Sequence, residues 1–207
     1  MAINKDEARK AILEITSRLL AEGGLDAVRI REIAKEAGVS IGSVYNIFGD
    51  VDDLLRECNM RLLDELGTVG AAATAELQAK QVTDVRERLL ALSRVYHEFV
   101  EDHAVAWNAM LSFNRAVAVR ETPEWYLVRQ EMLFDIITNV LRDTALADDE
   151  EQVTLAARAL WSSVHGIVTN AYRGADDEAL RANTWAQIDI LVTTFVRGID
   201  GHQTSGK

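Results

Sequence analysis

Residues 30–55 contain the feature that most limits how this chain can fold. The first part is apolar at positions 30, 33, 34 and 37, which lie on one face of a short helix. Gly38 ends that helix, because glycine enters the left-handed conformation of a tight helix stop without strain. Ser40 can cap a second short helix over residues 41–47 through its side-chain oxygen. Two short helices joined by a glycine-bearing turn predict a helix-turn-helix, whose second helix fits the major groove of DNA.

The same segment contains a longer motif with definite spacing. Its residues are, in order, Ile33, Ala34, Ala37, Gly38, Val39, Ser40, Gly42, Val44, Tyr45, Phe48 and Leu54. From Lys10 to Leu55 the chain resembles the amino-terminal domain of tetracycline-repressor (TetR) family transcription regulators, with about ten positions in agreement. The resemblance covers roughly the first quarter of the chain. It implies a DNA-binding transcription regulator, and the remaining residues are interpreted separately.

Composition favours an almost entirely helical protein. The 207 residues include one proline and 12 glycines, and 48% of them are hydrophobic. No alternating Val/Ile/Thr/Tyr runs bounded by turn clusters indicate a sheet. We therefore predict an all-α fold of about nine helices. It comprises an N-terminal three-helix helix-turn-helix domain at 1–49, a larger C-terminal ligand-binding and dimerisation bundle at 50–200, and a flexible tail at 201–207.

Capping signals indicate where the later helices begin and end. Asp50 can cap a helix that continues to about residue 79. Asp148, followed three residues later by a glutamate, resembles the capping box of another helix, which Gly174 would end. The last helix is predicted to start at Asp176 and to close near Gly198.

The single cysteine, Cys58, excludes an internal disulfide framework and favours a reducing compartment. Its position in an apolar stripe predicts a buried, inert thiol rather than a redox sensor. No charged-then-apolar signal segment opens the chain, and no apolar run approaches the roughly 20 residues of a membrane span. We expect a cytoplasmic protein with no membrane partner.

The charge distribution bears on a nucleic-acid partner. The net charge is −11, but residues 1–56 hold eight Lys/Arg against ten Asp/Glu and so contribute only −2. A weakly acidic domain can bind DNA when its few cationic side chains lie on the DNA-facing side. Each phosphate that they neutralise adds affinity through counterion release. The candidate cations are Lys5, Arg9, Lys10, Arg29, Arg31 and Lys35.

The second helix of the motif carries the candidate base contacts. Asn46 can bond adenine through two hydrogen bonds, Ser43 can hydrogen-bond to more than one kind of base, and Ile41 can contact a thymine methyl. Ser40 and the helix amino terminus can hold a phosphate through backbone N–H groups. These side chains are therefore predicted to face the duplex.

The family resemblance extends this set of contacts. It implies base contacts at Ile41, Gly42, Ser43 and Asn46, and a backbone-phosphate contact at Tyr45. The alternative for Tyr45 is a packed aromatic ring whose hydroxyl meets water. Family members usually carry Ser or Thr where Arg29 stands, so this arginine can serve a phosphate but cannot cap the helix by the same bond. Ile47 and Val51 replace residues that commonly contact phosphate in the family.

Aromatic residues later in the chain suggest a ligand pocket. In the TetR family the carboxy-terminal bundle often encloses a pocket for a small inducer, and Trp161 to Gly166 resembles a Trp…His-Gly motif of one subgroup. His165 lies one helical turn from Trp161, so both can face the same side. It is either a satisfied core histidine or the group that orients a ligand's polar end. The candidate ligand-binding residues are Leu62, Tyr96, Phe99, Trp107, Met110, Phe113, Trp125, Phe134, Trp161 and His165.

Two apolar seams near the carboxyl end suggest a homodimer. Their residues recur at spacings of three and four, which makes flat, bundle-forming helix faces. These seams either pack onto their own core or form a two-fold four-helix interface. The second alternative would place two reading helices in successive major grooves. The candidate interface residues are Val153, Ala157, Leu160, Val164, Ile167, Ile188, Val192 and Phe195.

The sequence lacks the arrangements of reactive residues that enzyme active sites use. His97 and His103 are six positions apart, which differs from the i, i+4 spacing of helical metal pairs. No Gly-rich phosphate loop and no strand–turn–helix around a serine is present. We predict no enzyme activity, no metal site and no cofactor.

Two functions remain. The first is a homodimeric transcription regulator, a repressor released from a palindromic DNA operator by a small, largely apolar effector. The second is a helical small-molecule-binding or interaction module that no longer reads specific DNA. The acidic balance and the apolar residues Ile47 and Val51 motivate this alternative.

Overall fold

The computed structural model describes residues 4–117, 122–171 and 178–202. Within these ranges it contains no strand, which confirms the predicted all-α fold. In the same ranges no helix is long and apolar enough to cross a membrane. A 3-10 helix, Gly24–Ala27, separates the first two helices. The α-helices are α1 (Lys5–Gly23), α2 (Ile30–Glu36), α3 (Ile41–Phe48), α4 (Val51–Ala79), α5 (Val85–Asp102), α6 (Ala104–Val117), α7 (Glu124–Leu141), α8 (Glu150–Ala171) and α9 (Glu178–His202).

Local capping determines where α4 begins. The Asp50 carboxylate accepts a hydrogen bond from the Asp53 backbone N–H at 2.8 Å, as its predicted N-cap role requires. The helix then runs to Ala79, which matches the predicted end. Its first turn carries two further acidic residues, which the helix dipole favours at this end.

The last two helices differ in detail from the prediction. Asp149, not Asp148, caps α8 by accepting from the Gln152 backbone N–H at 3.0 Å. Gly198 does not end α9, because its backbone stays right-handed and the helix continues to His202. The first two residues of the predicted tail at 201–207 belong to α9 instead. The predicted helix stop at Gly174, the start at Asp176 and the rest of the tail lie outside the described residues.

Contacts between helices divide the chain into two compact units. The first unit contains Met1–Glu65 and His103–Leu127, and the second contains Leu66–Asp102 and Val128–Lys207. Residues 50–65 and α6 therefore group with the helix-turn-helix. The functional division at residues 1–49 and 50–200 stays a prediction.

The core of the first unit joins the helix-turn-helix to α1, α4 and α6. Its central residues are almost completely buried: Ile12, Ile33, Val44, Phe48 and Leu54. Phe113 of α6 belongs to the same cluster, because α6 packs along α1. This corrects its assignment to a ligand pocket in the second bundle, since its ring is surrounded by residues of the first unit.

The second unit is built on packing of α9 against α5 and α8. Arg86 of α5 reaches α9, where it donates to Asp189 at 2.6 Å and to Thr193 at 2.6 Å. The seams of α8 and α9 face this internal packing. Six of the eight predicted interface residues are at most 4% exposed within a single subunit: Val153, Ala157, Leu160, Val164, Ile188 and Val192.

That burial corrects the predicted dimer interface. A side chain enclosed by its own subunit cannot meet a second copy, so these six residues form the unit's own core. Ile167 and Phe195 are partly exposed and remain candidates for an interface.

Candidate nucleic-acid interface and ligand cavity

A glycine corner sets the angle between α2 and α3. Gly38 has φ +68°, in the left-handed region that the sequence predicted for it. The Gly38 N–H donates to the Lys35 carbonyl at 3.2 Å, and the Val39 N–H donates to the Ala34 carbonyl at 2.9 Å. These bonds satisfy carbonyls at the end of α2, and the chain then turns directly into α3.

Ser40 caps α3 as predicted. Its hydroxyl oxygen accepts from the Ser43 backbone N–H at 3.0 Å and lies 2.8 Å from the Ser43 hydroxyl. The cap holds the first turn of α3, and Ser40 itself is exposed. The amino terminus of this helix therefore faces outward.

The two sides of α3 differ sharply in burial. Val44 is 2% exposed and Phe48 is 5% exposed, so both anchor the helix to the core. By contrast, Ile41 is 41% exposed and Tyr45 is 43% exposed. Gly42 and Asn46 are exposed beside them, at the i, i+4 spacing that aligns residues on one helix face. We call Ile41, Gly42, Tyr45 and Asn46 the exposed face of α3.

The three positions that differ from the family pattern lie in two environments. Arg29 occupies the N-cap position of α2 without a side-chain capping bond, and it is exposed. Ile47 and Val51 are partly buried and pack against the core of the first unit. These two apolar residues thus contribute to core packing.

Arg9 lies in a different environment from the predicted DNA-facing one. Its guanidinium binds both oxygens of Glu57 at 2.5 Å and donates to the Ile47 carbonyl at 3.4 Å. It also lies 4.9 Å from the centre of the Phe48 ring. Arg9 therefore connects α1 and α4 to the end of α3. No local sequence signal indicates this, because Glu57 is 48 residues away.

A small cavity lies inside the second unit, between α4, α5, α7 and α8. Its volume is about 60 Å³, and Leu66, Leu89 and Ile136 are among the apolar residues lining it. Tyr96 and Trp161 form part of the same wall. Two residues of the predicted ligand set therefore share one cavity.

An aromatic cluster stands at this cavity. The Tyr96 hydroxyl and His165 Nδ1 are 2.6 Å apart, and the His165 ring stacks on Trp161 at 5.8 Å between centroids. Phe134 meets Trp161 edge-on at 5.9 Å. Burial raises the pKa of Tyr96, so its hydroxyl stays protonated at neutral pH. Four predicted ligand residues, Tyr96, Phe134, Trp161 and His165, thus lie together.

The other predicted ligand residues lie elsewhere. Phe99 is buried in the second unit but does not line the cavity. Trp125 is 43% exposed and meets Tyr126 edge-on. The residues that belong to the first unit are Leu62, Trp107, Met110, Phe113 and Trp125. The predicted ligand-binding residues are thus divided between the two units and do not form one pocket.

Several solved structures share this fold. A protein of unknown function from Rhodococcus sp. RHA1 aligns with a TM-score of 0.73 and 22% identity, over 93% of this chain and 95% of that one. A multidrug binding protein, EbrR, in complex with imidazole aligns with a TM-score of 0.64 and 20% identity, over 91% and 94%.

Sequence comparison identifies the family. The family described as bacterial regulatory proteins, tetR family, matches residues 12–58. A tetracyclin repressor-like C-terminal domain matches residues 89–194, which is more than half of the chain. The HTH-type transcriptional regulator BetI of Rhizobium meliloti is 30% identical over 155 residues, covering 73% of each protein. This chain therefore belongs to the TetR family of DNA-binding transcriptional regulators.

Proposed function

We propose that this regulator is a homodimeric repressor that a small, largely apolar effector releases from a palindromic operator. The observation that carries the proposal is the exposed face of α3, held outward by the buried Val44 and Phe48. Ile41 and Asn46 would read bases, and Tyr45 would contact the phosphate backbone. Arg29 is exposed at the start of α2 and would contact a second phosphate.

Selection from random double-stranded oligonucleotides tests this function. We expect recovered sites to contain two inverted half-sites, because a two-fold dimer presents one reading helix to each. Binding of the recovered site should weaken as salt rises, since phosphate contacts release counterions. Failure to recover any specific site would contradict the proposal and favour a helical module that does not read DNA.

Gly42 gives a test that separates DNA contact from folding. A Cβ at this position would meet only the Ser40 hydroxyl oxygen at 3.7 Å, an ordinary contact. Because alanine has the higher helix propensity, Gly42→Ala should leave the free energy of unfolding unchanged or raise it by about 0.5 kcal/mol. The added methyl would obstruct close approach to the duplex, so operator Kd should rise about tenfold.

Urea unfolding and fluorescence anisotropy measure these two effects of Gly42→Ala. The matched control is Gly198→Ala in α9, where an added Cβ meets no atom within 4 Å. That control should leave operator affinity at the wild-type value. Equal affinity of Gly42→Ala and wild type would show that α3 does not approach DNA at this position.

The outer surface of α8 and α9 supports the proposed dimer. On α8 the exposed or half-exposed residues Leu155, Ala159, Ser162 and Gly166 recur at spacings of four, three and four, so they form one stripe. Leu155 is 59% exposed, and Ile190 of α9 is 67% exposed. They are the two most exposed large apolar side chains among the described residues, as expected of a surface that a second subunit covers. We infer that this surface, rather than the buried seams, meets the second subunit.

Substitution of Ile190 tests that surface. Ile190→Glu should convert the dimer to a monomer in sedimentation velocity, because an unpaired carboxylate is costly to bury in an interface. Operator affinity should then fall by more than tenfold, since one reading helix contacts only one half-site. Val105→Glu, at a 46% exposed position of α6, is the matched control and should remain dimeric. A dimeric Ile190→Glu variant would refute the proposed surface.

The aromatic cluster supports the proposed effector site. A cavity of about 60 Å³ is far smaller than the roughly 300–1,000 Å³ of usual ligand pockets, so an effector would enter only if the residues lining it moved apart. The hydrogen bond between Tyr96 and His165 supplies polar groups for the effector's polar end. EbrR, a multidrug binding protein solved in complex with imidazole, has the same fold, which supports a small-molecule site in this protein.

The coupling to DNA would pass through α4. This helix contributes Leu54 to the core beneath α3 and Leu66 to the wall of the cavity. An effector shifts the regulator only if it binds the released arrangement more tightly than the DNA-bound one. The proposed effector would therefore favour a position of α4 that does not match the operator.

A further inference from the structure

A second cavity lies entirely within the first unit, among α1, α4 and the start of α6. Its volume is about 190 Å³, roughly three times that of the cavity beside Trp161. Its apolar walls come from Leu20 of α1, Leu62 of α4 and Ala106 of α6. Leu62 thus lines a different cavity from the one to which the sequence analysis assigned it. A cavity of about 150 Å³ with apolar walls admits benzene, so this one can admit a six-membered ring.

Polar groups line one side of this cavity. The Ser17 hydroxyl oxygen is buried and, among the described residues, has no conventional hydrogen-bond partner. Its polar neighbour is the Cys58 thiol, which weakly interacts with it. Sulfur is a weak hydrogen-bond partner, so the Ser17 hydroxyl can form a stronger hydrogen bond with a ligand or with ordered solvent. Asn59 lies on the same wall, where its amide donates to the Tyr126 hydroxyl at 3.4 Å.

The charged residues around this cavity have both signs, so they do not favour a ligand of either charge. At the mouth, Glu65 lies 3.6 Å from His103, and Arg61 is exposed beside them. Groups of both signs are therefore adjacent. Deeper inside, burial raises the pKa of the Cys58 thiol to about 11, so the thiol is neutral at physiological pH. The interior is accordingly suited to a neutral molecule.

We propose that this cavity is a binding site for a small neutral ring compound that carries one hydroxyl or carbonyl group. The ring would occupy the space between Leu20, Leu62 and Ala106. The hydroxyl or carbonyl oxygen would pair with the Ser17 hydroxyl. This site is separate from the proposed effector site and does not depend on it.

Occupancy of the cavity stabilises the unit that carries the reading helix. Its walls belong to α1 and α4, which the Arg9–Glu57 ion pair also connects near the end of α3. A ligand that binds the folded unit and not the unfolded chain stabilises it by RT ln(1 + L/Kd), where L is the ligand concentration, so the stabilisation increases with that concentration. The midpoint of thermal unfolding should therefore increase with the concentration of the bound compound.

Phenol is the probe that tests the site in the full-length protein. Ligand-detected NMR and thermal unfolding should show phenol binding with a Kd of about 1 mM. Ala106→Leu fills the cavity and should weaken binding by at least about tenfold. Ala72→Leu, the same enlargement at an exposed position of α4, should leave phenol affinity unchanged. Loss of binding in Ala72→Leu, or full binding in Ala106→Leu, would overturn the assignment.

Two further measurements keep the test decisive if Ala106→Leu does not fold. Ser17→Ala should weaken phenol about fivefold but leave benzene affinity unchanged, because only phenol uses the hydroxyl. Cys58 is the single cysteine, so its reaction with the neutral reagent methyl methanethiosulfonate reports access to the cavity. Phenol should slow that reaction at least about threefold. Equal labelling rates with and without saturating phenol would refute the site.

Discussion

The variant with Tyr45→Ala and Asn46→Ala is expected to lose operator affinity by at least about a hundredfold while unfolding at the wild-type urea concentration. Each side chain that contacts a base or phosphate contributes about 1–3 kcal/mol, and the dimer would lose four such contacts. Tyr45 is 43% exposed and Asn46 is exposed, so their truncation removes no core packing. Fluorescence anisotropy with a selected operator, at one stated salt concentration, measures the change.

The controls for this variant separate contact from general surface change. Val105→Ala truncates an apolar side chain of similar exposure on α6 and should leave the operator Kd within about twofold of wild type. Binding to random DNA should fall less than binding to the operator, because Asn46 would contribute only to base recognition. Undiminished operator binding in the double variant would refute the assignment of α3 as the reading helix.

The variant Phe48→Ala is expected to lower the free energy of unfolding by about 3–5 kcal/mol. Its ring is 5% exposed in the core of the first unit, and truncation there leaves a cavity. The Arg9 guanidinium lies 4.9 Å from the ring centre, so its cation–π contact is lost as well. Urea unfolding followed by circular dichroism measures the change through the transition that includes the first unit.

Tyr45→Ala alone is the matched control for Phe48→Ala. It removes a ring three positions earlier on the same helix that is 43% exposed rather than buried, and should change stability by less than about 0.5 kcal/mol. A loss below about 1 kcal/mol in Phe48→Ala would mean that the ring is not essential to the core. The contrast between the two variants tests the two-sided character of α3 directly.

Agreement between sequence and structure was close at several features that atoms near in the chain decide, although the cap of α8 and the end of α9 differ from the prediction. Ser40 and Asp50 cap helices through bonds to residues three positions on. Gly38 adopts the left-handed conformation that its place in the turn predicts. These features depend on a few neighbouring residues, so residue type and spacing are sufficient to predict them.

Candidate site residues were predictable in part. The alternation of buried and exposed residues in α3 follows from helical periodicity, and so does the shared face of Trp161 and His165. The Tyr96 hydroxyl bonded to His165 lies 69 positions earlier, so the sequence could propose both residues but not their hydrogen bond. Phe113 was placed in a ligand pocket because aromatic content alone does not say which unit a helix joins.

The sequence by itself determined where α3 begins, where α4 begins and ends, and which large side chains of α3 are buried. Only the tertiary structure decided what covers each apolar side. The seam containing Val153 and Ile188 is closed by its own subunit, and Arg9 pairs with Glu57 rather than facing outward. The physical reason is that helical spacing identifies an apolar face, whereas its partner is selected by packing among residues distant in the chain.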